Sequence, residues 1–285
     1  MARLKGQLVR SGEVTWSETQ DLGGADKIDF VPYDITRLKQ VTSGSSVKVS
    51  ACIYCGSTEK LTKEHVIPYG LNGTSTIANG SCDKCQKVTH RFEAAILRGE
   101  LQELRYKLRM SSRSKHKKIA NDQGALRHSV ITVFPIFPLP NYFGERADNG
   151  LRVERVQIVA SDRNDVEKDG LDHTLMPIEF AKLMAKIAYC FAWSTGLQNA
   201  IADTSGVVNA FMKDSGSLGK YVGTRRPPYR RADTPGHSLT AGCVAEKRAV
   251  YVNVQLLAER GTPTYIVALG ELKEGWAYRS DPLLP

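Results

Sequence analysis

Four cysteines in two close pairs, Cys52 with Cys55 and Cys82 with Cys85, constrain what this chain can fold into more than any other feature. Two residues separate the members of each pair and 26 separate the pairs, giving C-x2-C-x26-C-x2-C. The short spacing lets both thiolates of a pair reach one ion from a tight turn, and four thiolates in tetrahedral array suit Zn2+. An iron–sulfur cluster is the other metal option, but Gly56 directly behind the first pair and the polar filling of the second fit zinc knuckles better. Four thiolates close the coordination sphere, so such a site holds a fold together and cannot itself activate water. Chemistry, if the chain performs any, needs other residues.

Six cysteines in 285 residues are too sparse for a disulfide scaffold, and the paired spacing belongs to a reducing compartment, so a cytoplasmic location is expected. The N-terminal stretch MARLKGQLVRSGEVTWSETQ has no apolar signal region. Nothing approaches the roughly 18 uninterrupted apolar residues of a membrane span, and no membrane partner is expected. A formal net charge of +9 and a pI near 9.2 call for an anionic partner, nucleic acid first.

Composition shifts divide the chain into four stretches. Residues 1–48 read as an N-terminal segment and linker ending in the Ser/Gly-rich QVTSGSSVK. Residues 49–97 hold the cysteines and run into a helix, KVTHRFEAAIL, with Val88, Phe92, Ala95 and Ile96 at helical spacing. Residues 98–128 form a basic arm. Residues 129–285 read as a C-terminal α+β domain for substrate or partner binding. Within it, SVITVF (129–134) and RVERVQIVAS (152–161) are strand candidates around a proline-rich connection. Residues 177–196 form a helix from Pro177 to Gly196, with Phe180, Leu183, Met184, Ile187 and Phe191 on one face. SGVVNAFMKD is a shorter helix, and 249–272 a β-hairpin.

Between the cysteine pairs, KEHVIPYGLNG sets Glu64 beside His65. In extended backbone, neighbours point to opposite sides, so one could serve an ion while the other faces a water. The order Cys52, Cys55, Glu64-His65-Val66-Ile67-Pro68, Gly70 to Gly73, Cys82 and Cys85 resembles the HNH endonucleases. The resemblance covers residues 50–97 and implies a ββα-metal, treble-clef module with a structural zinc. It further implies that His65 is the general base and Glu64 a ligand of a catalytic divalent cation, Mg2+ or Mn2+, with Gln86 or His90 completing the set. Two positions depart from the pattern. Gln86 stands where a closing His or Asn belongs, and Ile77 where a central Asn belongs, with Asn79 close by. His90 follows Gln86 by four residues on the same helix face.

Such a module relies on attached elements for its substrate. Candidate phosphate contacts are Arg105, Lys107, Arg109, Arg113, Lys115 and Lys117 in the arm, and Arg225, Arg226, Arg230 and Arg231 in the Pro/Gly-rich loop 223–236, where Tyr229 could stack on a base. The resulting expectation is a metal-dependent endonuclease acting on nucleic acid, DNA in first place, in a setting such as restriction or phage defence. An enzyme that cuts one strand per site would need to pair as a homodimer to break both strands, and an activating protein partner is the other protein contact considered. The alternative is a catalytically silent zinc protein that binds nucleic acid or serves assembly.

Overall fold

The structure, a computed structural model, describes residues 18–21, 27–32, 44–99, 101–111, 131–144, 148–160, 176–225, 236–244 and 247–274. It is mixed α+β. Two strands near the N-terminus, β1 (Glu18–Asp21) and β2 (Lys27–Pro32), precede a small sheet of β3 (Ser46–Lys48), β4 (Leu61–His65) and β5 (Thr76–Cys82). In that sheet β5 is central, parallel to β3 and antiparallel to β4. It leads without a break into α1 (Asp83–Arg98), followed by α2 (Gln102–Lys107). A separate ribbon pairs β6 (Ile131–Ile136) with β7 (Arg155–Ala160). The remainder is α3 (Pro177–Thr195), α4 (Ser205–Met212), α5 (Leu218–Tyr221), β8 (Val222–Thr224), β9 (Ser238–Val244), β10 (Ala249–Gln255) and β11 (Tyr265–Glu271).

The cysteine pairs meet as their spacing requires. Their four Sγ atoms lie within 4.8 Å of one another, and those of Cys55 and Cys82 are 3.6 Å apart. Four thiolates around Zn2+ at ~2.3 Å sit about 3.8 Å apart, so the cluster fits a structural zinc. The first knuckle is closed by the Gly56 amide donating to the Cys52 carbonyl at 2.8 Å, with Gly56 at φ +74°. Cys82 caps the start of α1. Burial raises its thiol pKa, but hydrogen bonds from the Cys85 amide and from the Cys55 thiol outweigh this and bring it down to about 7.

Residues inside the first knuckle do a second task. Ile53 and Tyr54 are buried, and the Tyr189 hydroxyl of α3 donates to the Ile53 carbonyl at 2.5 Å. The Tyr54 ring packs against Tyr189 and Phe211 at 5.8 and 5.9 Å. The zinc module is thereby seated on α3, which packs against α1, α4, β5, β10 and β11. That central position explains why α3 is buried nearly all round and carries apolar residues on almost every side.

Elements from the different sequence stretches pair and pack with one another. β2 pairs with β9, so residues from the expected N-terminal segment complete a six-stranded sheet ordered β1-β2-β9-β10-β11-β8. The physical reason is the edge of β9, whose backbone groups would otherwise lack partners. The end of the expected linker, Ser46–Lys48, is a strand of the zinc module. One hydrophobic core runs from Cys52 to Leu272, so residues 49–97 and 129–285 do not have separate cores. The first part of the expected basic arm is the short α2, docked by buried Leu101, Leu104 and Met110. On α1 the buried face is Cys85, Thr89, Phe92 and Ile96, shifted from Val88 and Ala95 because the helix must also turn Cys85 toward the other thiols. The helices expected at 177–196 and 205–214 and the hairpin at 249–272 are present as α3, α4 and β10–β11. No described helix is long and apolar enough to cross a membrane.

Purified without chelator, the protein should carry one zinc per chain by elemental analysis. Cys85→Ser should lose that zinc and lower the melting temperature by roughly 5–10 °C or more, given ~2–4 °C per kcal/mol for a chain of this size. Full stability with no bound zinc would remove the metal from the account of the fold.

Candidate active site

β4 delivers Glu64 and His65 to opposite sides, as extended backbone must. Both border a cavity of about 720 Å³, Glu64 as a buried side chain and His65 as a half-buried one. The pairing of β4 with β5 jumps from Thr62↔Ser81 to Glu64↔Ile77, so residues 78–80 bulge out of β5. Asn79 takes a positive φ of 62° there, a conformation Asn tolerates. Gly80 brings the bulge close over Glu64, since a side-chain carbon at that position would fall 2.9 Å from the Glu64 Cβ.

The loop after His65 has little freedom. The Leu71 and Gly73 amides both donate to the Pro68 carbonyl, at 2.8 and 3.2 Å. A Cβ on Gly73 would lie 1.9 Å from the Ile67 carbonyl oxygen, so only glycine fits. This turn sets Tyr69, which is 41% exposed, beside His65 with ring centroids 5.9 Å apart. His237 holds the loop from the other side. The Leu257 amide donates to its Nδ1 at 3.1 Å, so Nε2 carries the proton and donates to the Leu71 carbonyl at 2.6 Å. Burial lowers the His237 pKa, which favours this neutral ring.

Four residues singled out in the sequence border the same cavity: Glu64, His65, Gln86 and His90. The last two reach it because a helix places i and i+4 on one face. Two residues that the sequence reading missed complete the arrangement. Glu93 lies one turn beyond His90 on α1, and Lys186 enters from α3. The Lys186 ammonium is fully buried. It lies 2.8 Å from Glu64 Oε1 and 3.0 Å from Glu93 Oε1, and donates to the His65 carbonyl at 2.5 Å. Glu93 Oε1 is close but out of line for a hydrogen bond, so that second contact is an ion contact. Burial alone would lower the lysine pKa. Glu64 and Glu93 more than reverse that, so the group stays charged.

This geometry bears on the divalent cation that the resemblance assigns to Glu64. Among the described residues, the four cysteines are the only group of three or more His, Cys, Asp or Glu side chains with converging donor atoms. A cation on Glu64 Oε1 would stand close to the ammonium. At ~4 Å and an effective dielectric of ~20, the repulsion is about 4 kcal/mol per unit of added charge. As arranged, the donor set does not fit a divalent cation on Glu64, because Lys186 already neutralises that carboxylate.

The basic candidates separate. Arg105 departs from a phosphate-contact geometry: its guanidinium donates to the carbonyls of Gly70 and Leu97, both at 2.6 Å, and Ser111 at 3.1 Å. It clamps the loop after His65 to the end of α1. Lys107, Arg109 and Arg225 lie outside the cavity lining, whereas Lys63, Lys87 and Arg98 belong to it. Arg113, Lys115, Lys117, Arg226, Tyr229, Arg230 and Arg231 fall outside the described residues.

Arg105→Ala should therefore act on the fold. Removing donors from three part-buried carbonyls is expected to cost about 2–3 kcal/mol, measured by chemical denaturation. Unchanged stability, with only a shallower salt dependence of nucleic-acid binding, would mean that Arg105 serves phosphate.

Comparison with known proteins adds one match. No curated protein and no solved structure matches the chain significantly. Residues 52–100 match the HNH endonuclease family, and this is the stretch that folds into the two cysteine knuckles, the strand bearing Glu64 and His65, and α1. The zinc-knuckle segment of this chain is thus similar to the HNH endonuclease family over residues 52–100, the stretch that carries Glu64 and His65.

Proposed function

We propose that the protein is an HNH endonuclease that hydrolyses phosphodiester bonds in nucleic acid, with DNA the expected polymer. The observation that carries this reading is His65, set at the end of β4 on the wall of the cavity that Gln86, His90 and Glu93 also line, with its own carbonyl fixed by Lys186. An imidazole so placed can take the proton of a water attacking phosphorus, since its unperturbed pKa lies near neutrality. Lys63 and Arg98 on the same lining would neutralise charge on the scissile phosphate. HNH nucleases use divalent metals, and cleavage is expected with Mg2+ or Mn2+ supplied.

The finer fold assignment, a ββα-metal treble clef, belongs to the same reading and is supported by the order β4, β5, α1 with the second cysteine pair at the start of α1. So do dimerisation or an activating partner for double-strand breaks, and a role in restriction or phage defence. A cytoplasmic setting is supported by six cysteines outside any disulfide.

A second reading, a silent zinc protein that binds nucleic acid, is favoured by one observation: Lys186 engages the carboxylate that the resemblance gives to the metal. One experiment separates the two. Plasmid and single-stranded DNA are incubated with wild type and His65→Ala in Mg2+ and in Mn2+. The endonuclease reading expects nicking by wild type and a loss of at least about 100-fold in His65→Ala with an unchanged melting curve. Equal cleavage by both proteins would exclude His65 as the base. Salt-dependent binding with no cleavage by either would favour the second reading.

A further inference from the structure

Lys186 is the one fully buried charged side chain among the described residues, and it sits where a site would hold a cation. Its ammonium lies among three oxygens from two other elements: it donates to the His65 carbonyl of β4, and makes ion contacts with Glu64 of β4 at 2.8 Å and Glu93 of α1 at 3.0 Å. Both carboxylates border the cavity. The lysine comes from α3, more than a hundred residues away in sequence, so the site is assembled from both ends of the shared core.

We propose that Lys186 is a built-in cation of this site, filling the position between Glu64 and Glu93 and fixing the strand end that carries His65, so that no divalent cation uses Glu64 while the lysine is in place. The chemistry of the oxygens supports this. Two carboxylates and a carbonyl form the kind of all-oxygen set that hard divalent cations take. A tethered ammonium meets the same demand with one charge and three donors, and cannot diffuse away. Lys186 is a positioning residue in this account: it acts through Glu64 and His65 and does not line the cavity itself.

A purely structural ion pair would predict only lost stability when the charge is removed. The built-in cation predicts something else as well, a gained metal site. Lys186→Met leaves Glu64 and Glu93 facing each other across an uncharged space, and Mn2+ or Mg2+ should enter it. Lys186→Arg keeps the charge and should not create the site.

The inference rests on reading the cavity as the hydrolytic site, but its test measures cation binding and not cleavage, so either can fail alone. Zinc-loaded full-length proteins, checked for folding by circular dichroism, are titrated with Mn2+ by calorimetry and by electron paramagnetic resonance. Wild type and Glu64→Gln are expected to bind Mn2+ alike, within about twofold, or both not at all. Lys186→Met should bind one Mn2+ more than wild type, at least tenfold tighter than any shared weak binding. It should also gain melting temperature on Mn2+ addition. Both effects should vanish in the Glu64→Gln/Lys186→Met double variant and be missing in Lys186→Arg. A tenfold or greater loss of Mn2+ affinity in Glu64→Gln alone would overturn the proposal, because the ammonium would then yield to the metal in the natural protein. So would a folded Lys186→Met that binds no additional Mn2+. If Lys186→Met does not fold, the comparison of wild type with Glu64→Gln decides by itself.

Discussion

One buried ammonium holds together the parts of this protein that matter for its site. Lys186 leaves α3 inside an otherwise apolar helix and ends between Glu64, Glu93 and the His65 carbonyl. Burying such a charge is expensive, and a well-packed apolar substitute for a whole ion pair is often as stable. Removing one partner is another matter, at about 3–5 kcal/mol, because the remaining charge is stranded. The pair is thus poor evidence for stability and better evidence for position. It sets where β4 ends, where Glu64 points, and how α1 lies against α3.

The zinc knuckles serve the same end from the opposite side. Ile53 and Tyr54, between the cysteines of the first pair, are buried against α3 and α4 through the Tyr189 hydroxyl and the Phe211 ring. Cys82 ends β5 and Cys85 lies in the first turn of α1, so one metal would fix the angle between strand and helix. Arg105 and His237 then tie down the loop that follows His65, each through backbone carbonyls. The module alone would have a thin core. Sharing the core with α3 and the six-stranded sheet gives the cavity one rigid wall and leaves the face with His65, Tyr69 and His90 accessible.

Much of this was legible in the sequence where local spacing decides the outcome. The cysteine pairs, Pro177 and Gly196 around α3, and the alternation in β10 each carry their own signal. Helical periodicity puts Gln86 and His90 on one face of α1, and their meeting with His65 was what the resemblance implied. What stayed hidden depends on contacts between distant segments. Nothing local in Lys27–Pro32 announces pairing with β9, and Arg105 in a basic run looks like any phosphate contact until three carbonyls are found around it. Lys186 did leave a trace, a lysine between Leu183 and Cys190 on an apolar face, but its partners lie on β4 and α1. Glu93, at His90 plus three, shares the helix face of Gln86 and His90, but its partner Lys186 lies on α3, so nothing local marks it.

The most direct test of the account is a double-mutant cycle between Lys186→Met and Glu64→Gln, with unfolding free energies of the zinc-loaded protein measured by chemical denaturation. A buried, satisfied ion pair that links α3 to β4 predicts a coupling above about 1 kcal/mol, within the ~0.5–3 kcal/mol range of contacting residues. Additivity to within ~0.5 kcal/mol would mean that the two side chains do not meet in solution, and the site would have to be rebuilt without Lys186.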